Sequence, residues 1–156
     1  MKIILNIAIL VFILCSCSSI NSIKNKNLPH IVLDTDNDKY GLIIKKTFYK
    51  LYKKIDNKNR TVTVRTGLTF NIHDTLSIKG KSKLKKLKGI LSYKITDSSD
   101  TQVVKVGTIR NSINYGNITS LYGIDTSLKF AKERISRQLA QKLYNIIIIR
   151  VKNIDN

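Results

Sequence analysis

The spacing of hydrophobic and polar positions changes several times along this chain, and each change marks an element. The longest regular stretch runs from Ser120 to Ile148. Apolar side chains fall there at Leu121, Ile124, Leu128, Ala131, Ile135, Leu139, Leu143 and Ile146 or Ile147. Steps of three and four draw one stripe along about seven turns of helix. The other face carries Lys129, Lys132, Glu133, Arg134, Arg137, Gln138 and Lys142, so this helix rests on an apolar surface with its back to water. A shorter helical pattern, Tyr40, Ile43 or Ile44, Thr47 or Phe48, Leu51 and Ile55, begins near Lys39. Asp34, Asp36 or Asp38 supplies its cap, where negative charge suits the helix dipole. Lys45, Lys46, Lys50, Lys53 and Lys54 form its solvated face.

Between the helices the period is two. Val62, Val64, Leu68, Phe70 and Ile72 share one parity, and Thr61, Thr63, Arg65, Thr69 and Asn71 share the other, the pattern of a half-buried strand. The alternation can continue through Leu76 and Ile78 to a hairpin tip at Lys79-Gly80-Lys81-Ser82-Lys83. Leu87, Leu91, Tyr93 and Ile95 return on one parity, and Asp97-Ser98-Ser99-Asp100 reads as a turn. In the next strand Val104 and Val106 are even while Ile109, Ile113 and Tyr115 are odd, which places a bulge at Gly107. His30 to Leu33 is a short β-branched run, the first strand. A helical crossover from it to the second strand allows a parallel pair, and hairpins make the remaining pairs antiparallel. The expected fold is α+β, two helices packed on one face of a mixed four-stranded sheet, in the order β-α-β-β-β-α.

The first segment is patterned for export. Met1-Lys2 precedes an apolar run from Ile3 to Leu14 that is short for a membrane span and fits a secretory signal. Leu14, Ser16 and Cys17 stand at the spacing of a bacterial lipobox, so residues 1–16 are the expected lipoprotein signal peptide and Cys17 the expected lipidation site. Cys15 lacks a small residue before it. Residues 17–29, polar and rich in lysine and asparagine, form a lipidated tether, and 30–156 a single domain. Removal of the signal leaves no pair of thiols for a disulfide. Ser18, in place of an aspartate after the modified cysteine, favours sorting to the outer membrane, facing the periplasm.

The chain of 156 residues carries a formal net charge of +18. In a cytosolic protein such a balance would point to nucleic acid. Export removes that partner and leaves lipid phosphates and lipopolysaccharide as anions. Lysine far exceeds arginine and accompanies abundant isoleucine and asparagine, so codon bias in an AT-rich genome also accounts for the excess. One cluster is dense: Lys79, Lys81, Lys83, Lys85, Lys86 and Lys88 surround the expected hairpin tip, where ammonium groups can meet phosphate as point charges. No enzymatic constellation stands out. His30 and His73 are isolated, the aspartates fall where capping and turns explain them, and no nucleophile or phosphate-loop motif is present. Neither a metal nor a cofactor is expected.

Lys88-Gly89-Ile90-Leu91-Ser92-Tyr93-Lys94-Ile95-Thr96-Asp97, Val106-Gly107, Ser112-Ile113-Asn114-Tyr115, Leu121-Tyr122 and the run from Ala131 to Leu143 together resemble the C-terminal half of the LptE family of lipopolysaccharide-assembly lipoproteins. In that family a strand ending in Ser-x-x-Tyr leads into a helix patterned A-x-E-R-x-x-x-x-L-A. The resemblance covers roughly residues 84 to 145. It implies a two-helix, four-stranded domain and a non-enzymatic role: plugging and helping to assemble the LptD-type outer-membrane β-barrel, and binding lipopolysaccharide during delivery to the cell surface. It also implies lipopolysaccharide contact through basic residues near the hairpin tip, with Lys79 and Lys81 the loosely matching positions. The runner-up is another envelope lipoprotein of α+β fold, such as an accessory of a phospholipid transport system.

Overall fold

The computed structural model of the chain describes residues 29–52, 60–75, 84–97, 103–116 and 121–152. Its elements in order are β1 (His30–Asp34), α1 (Lys39–Leu51), β2 (Thr61–Thr75), β3 (Leu84–Asp97), β4 (Val103–Tyr115) and α2 (Leu121–Lys152). The strands form one sheet in the order β1-β2-β3-β4. β1 lies parallel to β2, and the β2–β3 and β3–β4 pairs are antiparallel. The architecture is the expected α+β arrangement. The expected signal segment 1–16 and nearly all of the tether 17–29 lie outside the described residues.

One parity of every strand turns inward. Ile31 and Leu33 pair with Val62 and Val64, Val64 pairs with Ile95, and Leu91 pairs with Ile109, all buried. On α2 the buried stripe is Ala131, Ile135, Leu139, Leu143 and Ile147, so of the two isoleucines left open by the spacing it is Ile147 that turns inward. Ser136 and Ala140 are also fully buried, which spacing alone did not indicate. They share a flank with Glu133 and Tyr144, which reach Lys39 and Phe48 of α1. Small side chains on that flank let the two helices lie close. Because Lys39 meets Glu133 and Phe48 meets Tyr144, the helices run in the same direction.

α2 approaches β3 closely at Gly89. A methyl group there would overlap Ile135 Cγ2 and lie 3.1 Å from Leu139 Cδ1. Here glycine is a matter of space, since the helix occupies the volume a side chain would need.

α1 begins where its cap permits. Asp38 accepts a hydrogen bond from Gly41 N at 2.6 Å, and Asp34 and Asp36 lie upstream of it. Ile44 and Phe48 are the inward residues, while Leu51 is exposed, contrary to the expected stripe. The helix stops at Leu51, and Tyr52 leaves it, stacks against Phe48 with ring centroids 6.0 Å apart and takes the buried place. Ile55 lies outside the described residues. Two tyrosines of this segment hold β1. Tyr49 Oη accepts from Leu33 N at 2.9 Å, and Tyr52 Oη donates to Pro29 O at 2.7 Å. Backbone groups of the short edge strand and of the residue before it are thus satisfied by side chains of α1 and its C-cap.

Two further expectations are corrected. The irregularity in β4 lies at Val104, between the Thr96–Val103 and Ile95–Lys105 pairs, and not at Gly107. Gly107 is in register opposite Tyr93, whose ring fills the space a Cβ would need. The parity change was real, but the glycine marks an aromatic neighbour and the extra residue lies three positions earlier. Asp97 belongs to β3, while residues 98–100 of the expected turn lie outside the described residues. Asp97 is the last residue of the strand, 7% exposed, with Arg60 Nε and Nη2 at 2.8 and 2.7 Å from its Oδ2.

Leu139→Ala is expected to destabilise the domain by about 2–5 kcal/mol, because it empties a fully enclosed site. Gly89→Ala should cost about 1–3 kcal/mol by forcing α2 away from β3. Arg137→Ala removes an exposed pair with Glu133 and should change stability by less than about 1 kcal/mol. Urea melts of the three variants check the order; an Arg137 effect as large as that of Leu139 would mean the helix is rotated from the orientation described.

Candidate functional site

Helices cover one face of the sheet, so the other parity of each strand stands on a face that no described element covers. Leu87 and Leu91 are buried beneath the helices, which puts the even positions of β3 on the open face. Lys86, Lys88 and Lys94 therefore point there. From Gly107 onward β4 follows the same rule: Ile109 and Tyr115 are buried, so Thr108, Arg110, Ser112 and Asn114 are on the open face. On β2 that face carries Thr63, Arg65, Gly67, Thr69, Asn71 and His73, opposite to buried Val62 and Val64.

The rows are fixed by register. Asn71, Lys88 and Ser112 form one row; His73, Lys86 and Asn114 form the next; Thr69, Ile90 and Arg110 lie on the other side. Arg65 and Lys94 share a row closer to the Pro29 end, and Arg65 is held by Asp34 at 3.0 Å. Among the described residues Asp34 is the one carboxylate on this face. Asp36 and Asp38 lie before α1, Asp74 and Asp97 have the inward parity, and Asp125 and Glu133 are on α2. No described carboxylate pairs with Lys86, Lys88, Lys94 or Arg110.

The helix side handles its cations differently. Lys39 Nζ lies 2.7 Å from Glu133 Oε1. Lys132 Nζ stands 5.7 Å from the Tyr40 ring centre and 5.5 Å from that of Phe70. Those two rings meet edge to face at 5.2 Å. Such contacts hold cations in place by carboxylate or ring quadrupole. Lys85, odd in number, belongs to this side, in register with Asp74 and Tyr115. Burial, and secondarily the nearby Asp74 charge, raises the Tyr115 phenol above its ordinary value.

The basic cluster expected from sequence is thus divided. Lys86 and Lys88 share the open face, Lys85 faces the other way, and Lys79, Lys81, Lys83 and Cys17 lie outside the described residues. Lys94 and Arg110 were missed because they are far from the cluster in sequence. Strand parity was the signal that could have found them, since both have the polar parity of their strands. Among the described residues there is no group of three or more His, Cys, Asp and Glu side chains placed to hold a metal ion, and no helix is long and apolar enough to cross a membrane.

No protein-family model matches the chain, and no curated protein is significantly similar to it in sequence. Solved structures do share its fold. Rare lipoprotein B from Shewanella oneidensis aligns with a TM-score of 0.62 at 12% identity, over 81% of this chain and 99% of that one. A minor lipoprotein from Acinetobacter baumannii aligns with a TM-score of 0.58 at 15% identity, over 78% of this chain and 91% of that one. A candidate lipoprotein from Caulobacter crescentus aligns with a TM-score of 0.56 at 12% identity, over 78% and 90%. The similarity is one of fold.

The ion pair between the helices makes stability depend on pH. Hydrogen bonding to Lys39 lowers the Glu133 carboxyl below its ordinary 4.5, and the same bond raises Lys39 above its ordinary 10.5. A lowered carboxyl stabilises the fold above its unfolded value and loses that contribution as pH falls through the folded one; a raised ammonium does so below its unfolded value and loses it as pH rises. The pair therefore contributes fully between 4.5 and 10.5. Glu133→Gln should lower the denaturation midpoint at neutral pH and match the wild type once the pH is below the folded carboxyl value. A difference of constant size down to strong acid would assign the residue a packing role instead.

Proposed function

We propose that this chain is an outer-membrane lipoprotein of LptE type, anchored through Cys17 on the periplasmic side. It plugs and helps to assemble an LptD-type β-barrel and binds lipopolysaccharide on its way to the cell surface. The role is non-enzymatic. The observation that carries the reading is the shared fold with rare lipoprotein B of Shewanella oneidensis over 99% of that chain. The lipobox at Leu14 to Cys17 and the residue pattern from Lys88 to Leu143 support it from the sequence.

The geometry suits such a role. The chain enters the domain at Pro29, beside Tyr52 and the start of β2. The β2–β3 connection leaves from the Thr75–Leu84 pair, at the opposite end of the sheet. With about 3.3 Å per residue, β2 separates these ends by about 46 Å. An anchor at one end thus leaves the basic end free to reach a ligand well away from the lipid. The second reading, an accessory that binds phospholipid, is favoured by one feature: cations on the open face that pair with no described carboxylate serve any phosphate-bearing lipid.

Metabolic labelling with a fatty-acid analogue should mark the wild type and not Cys17→Ala; label lost instead from Cys15→Ala would move the anchor. Replacing Lys79, Lys81 and Lys83 together with Glu should weaken lipopolysaccharide binding while leaving the fold intact, and wild-type binding should weaken as salt rises. The barrel should co-purify with both proteins. If no barrel co-purifies, the plug role falls; binding to phospholipid in preference to lipopolysaccharide selects the second reading.

A further inference from the structure

Resting on that reading, we infer that lipopolysaccharide phosphates are bound on the open face of the sheet, by Arg110 of β4 together with Lys86 and Lys88 of β3, and that Lys85 takes no part. Register brings these cations together. Lys86 and Lys88 alternate along β3 and stand about 6.7 Å apart on one face. Arg110 pairs with Ile90, one step beyond Lys88 on that same face. The Lys88–Arg110 pair is therefore a cross-strand diagonal of about 7–8 Å, a gap that two long side chains can close around one phosphate. Ser112, directly opposite Lys88, and Asn114, opposite Lys86, place hydrogen-bond donors among the cations.

The balance of charge selects an anion as the occupant. Like charges this close repel one another, and among the described residues no carboxylate offsets these three. The one described acid on the face, Asp34, is already paired with Arg65. A phosphate-bearing headgroup supplies the missing charge. Arginine adds what lysine cannot, a planar fork able to take two phosphate oxygens at once. The Arg110 backbone is itself fixed, its carbonyl accepting from Lys142 Nζ of α2 at 3.2 Å. Lys85 lies in the same stretch of sequence but has the opposite strand parity, in register with Asp74, so it points away from the open face.

The test compares equal charge changes on opposite faces. Full-length Arg110→Glu, Lys88→Glu and Lys85→Glu are titrated with purified lipopolysaccharide, with phosphatidylglycerol vesicles and inorganic phosphate as parallel probes. Circular dichroism checks folding, and Arg110→Gln provides a milder variant. Loss of a charge-assisted contact should weaken lipopolysaccharide binding about tenfold or more for Arg110→Glu and Lys88→Glu, less for Arg110→Gln, and less than about twofold for Lys85→Glu. Equal losses from Lys85→Glu would show that only net charge acts and would overturn the inference. Unaltered binding by Arg110→Glu, with loss from the Lys79, Lys81 and Lys83 substitutions, would overturn it too while the proposed function stood. Equal or tighter binding to phosphatidylglycerol or to phosphate alone would reject lipopolysaccharide as the occupant. A wild-type chain that binds no lipopolysaccharide would remove the proposed function and this inference together.

Discussion

The close approach of α2 to β3 at Gly89 sets the position of nearly everything else. Ile135 and Leu139 sit where a side chain on β3 would otherwise stand, so the helix can come this close to the sheet only because residue 89 is glycine. Other contacts follow from it. Glu133 reaches Lys39, Tyr144 meets the Phe48 ring, and on the far flank Gln138 accepts from Asn111 Nδ2 at 2.7 Å. A helix held further away would lose all three together, along with the contact that brings Lys142 over the rim of β4. The small flank residues Ser136 and Ala140 perform the matching service towards α1. Ser136 meets its own polar need by donating to Lys132 O at 2.8 Å, a bond internal to the helix that lets a hydroxyl be fully buried.

Closing one face of the sheet also sorts the charges. On the helix side, cations next to apolar surface are matched with a carboxylate or with aromatic rings. On the open face no described element lies over the strands, and water screens charges that stand there. Folding alone therefore tolerates Lys86, Lys88 and Arg110 together. Their concentration there costs the domain little.

Most of this architecture was legible in the sequence because burial is one-sided. Strand parity and helix stripe both report a boundary between core and water, and the residues from Val62 to Ile95 and from Ala131 to Leu143 show it plainly. What escaped were features set by tertiary neighbours. Gly107 looks like a bulge in sequence, yet its cause is the Tyr93 ring across the strand. Asp97 looks like a turn residue because its partner Arg60 is distant in the chain. Leu51 continues the helical stripe, but the helix ends and Tyr52 fills the space. The candidate surface was half visible: a run of lysines is conspicuous, whereas its partition between two faces, and the addition of Arg110, depend on pairing between strands.

The Tyr49 and Tyr52 contacts to the first strand also bear on how the domain would resist tension. A pull between Pro29 and the β2–β3 end acts along the strand axis. Because β1 is parallel to β2, that force would slide the two strands past each other, straining all five register pairs at once instead of peeling them in turn. The tyrosine hydroxyls at Leu33 N and Pro29 O brace the same strand from its outer side. A five-residue strand thereby becomes a mechanical clamp, stiff along the axis that joins Pro29 to the far end of β2.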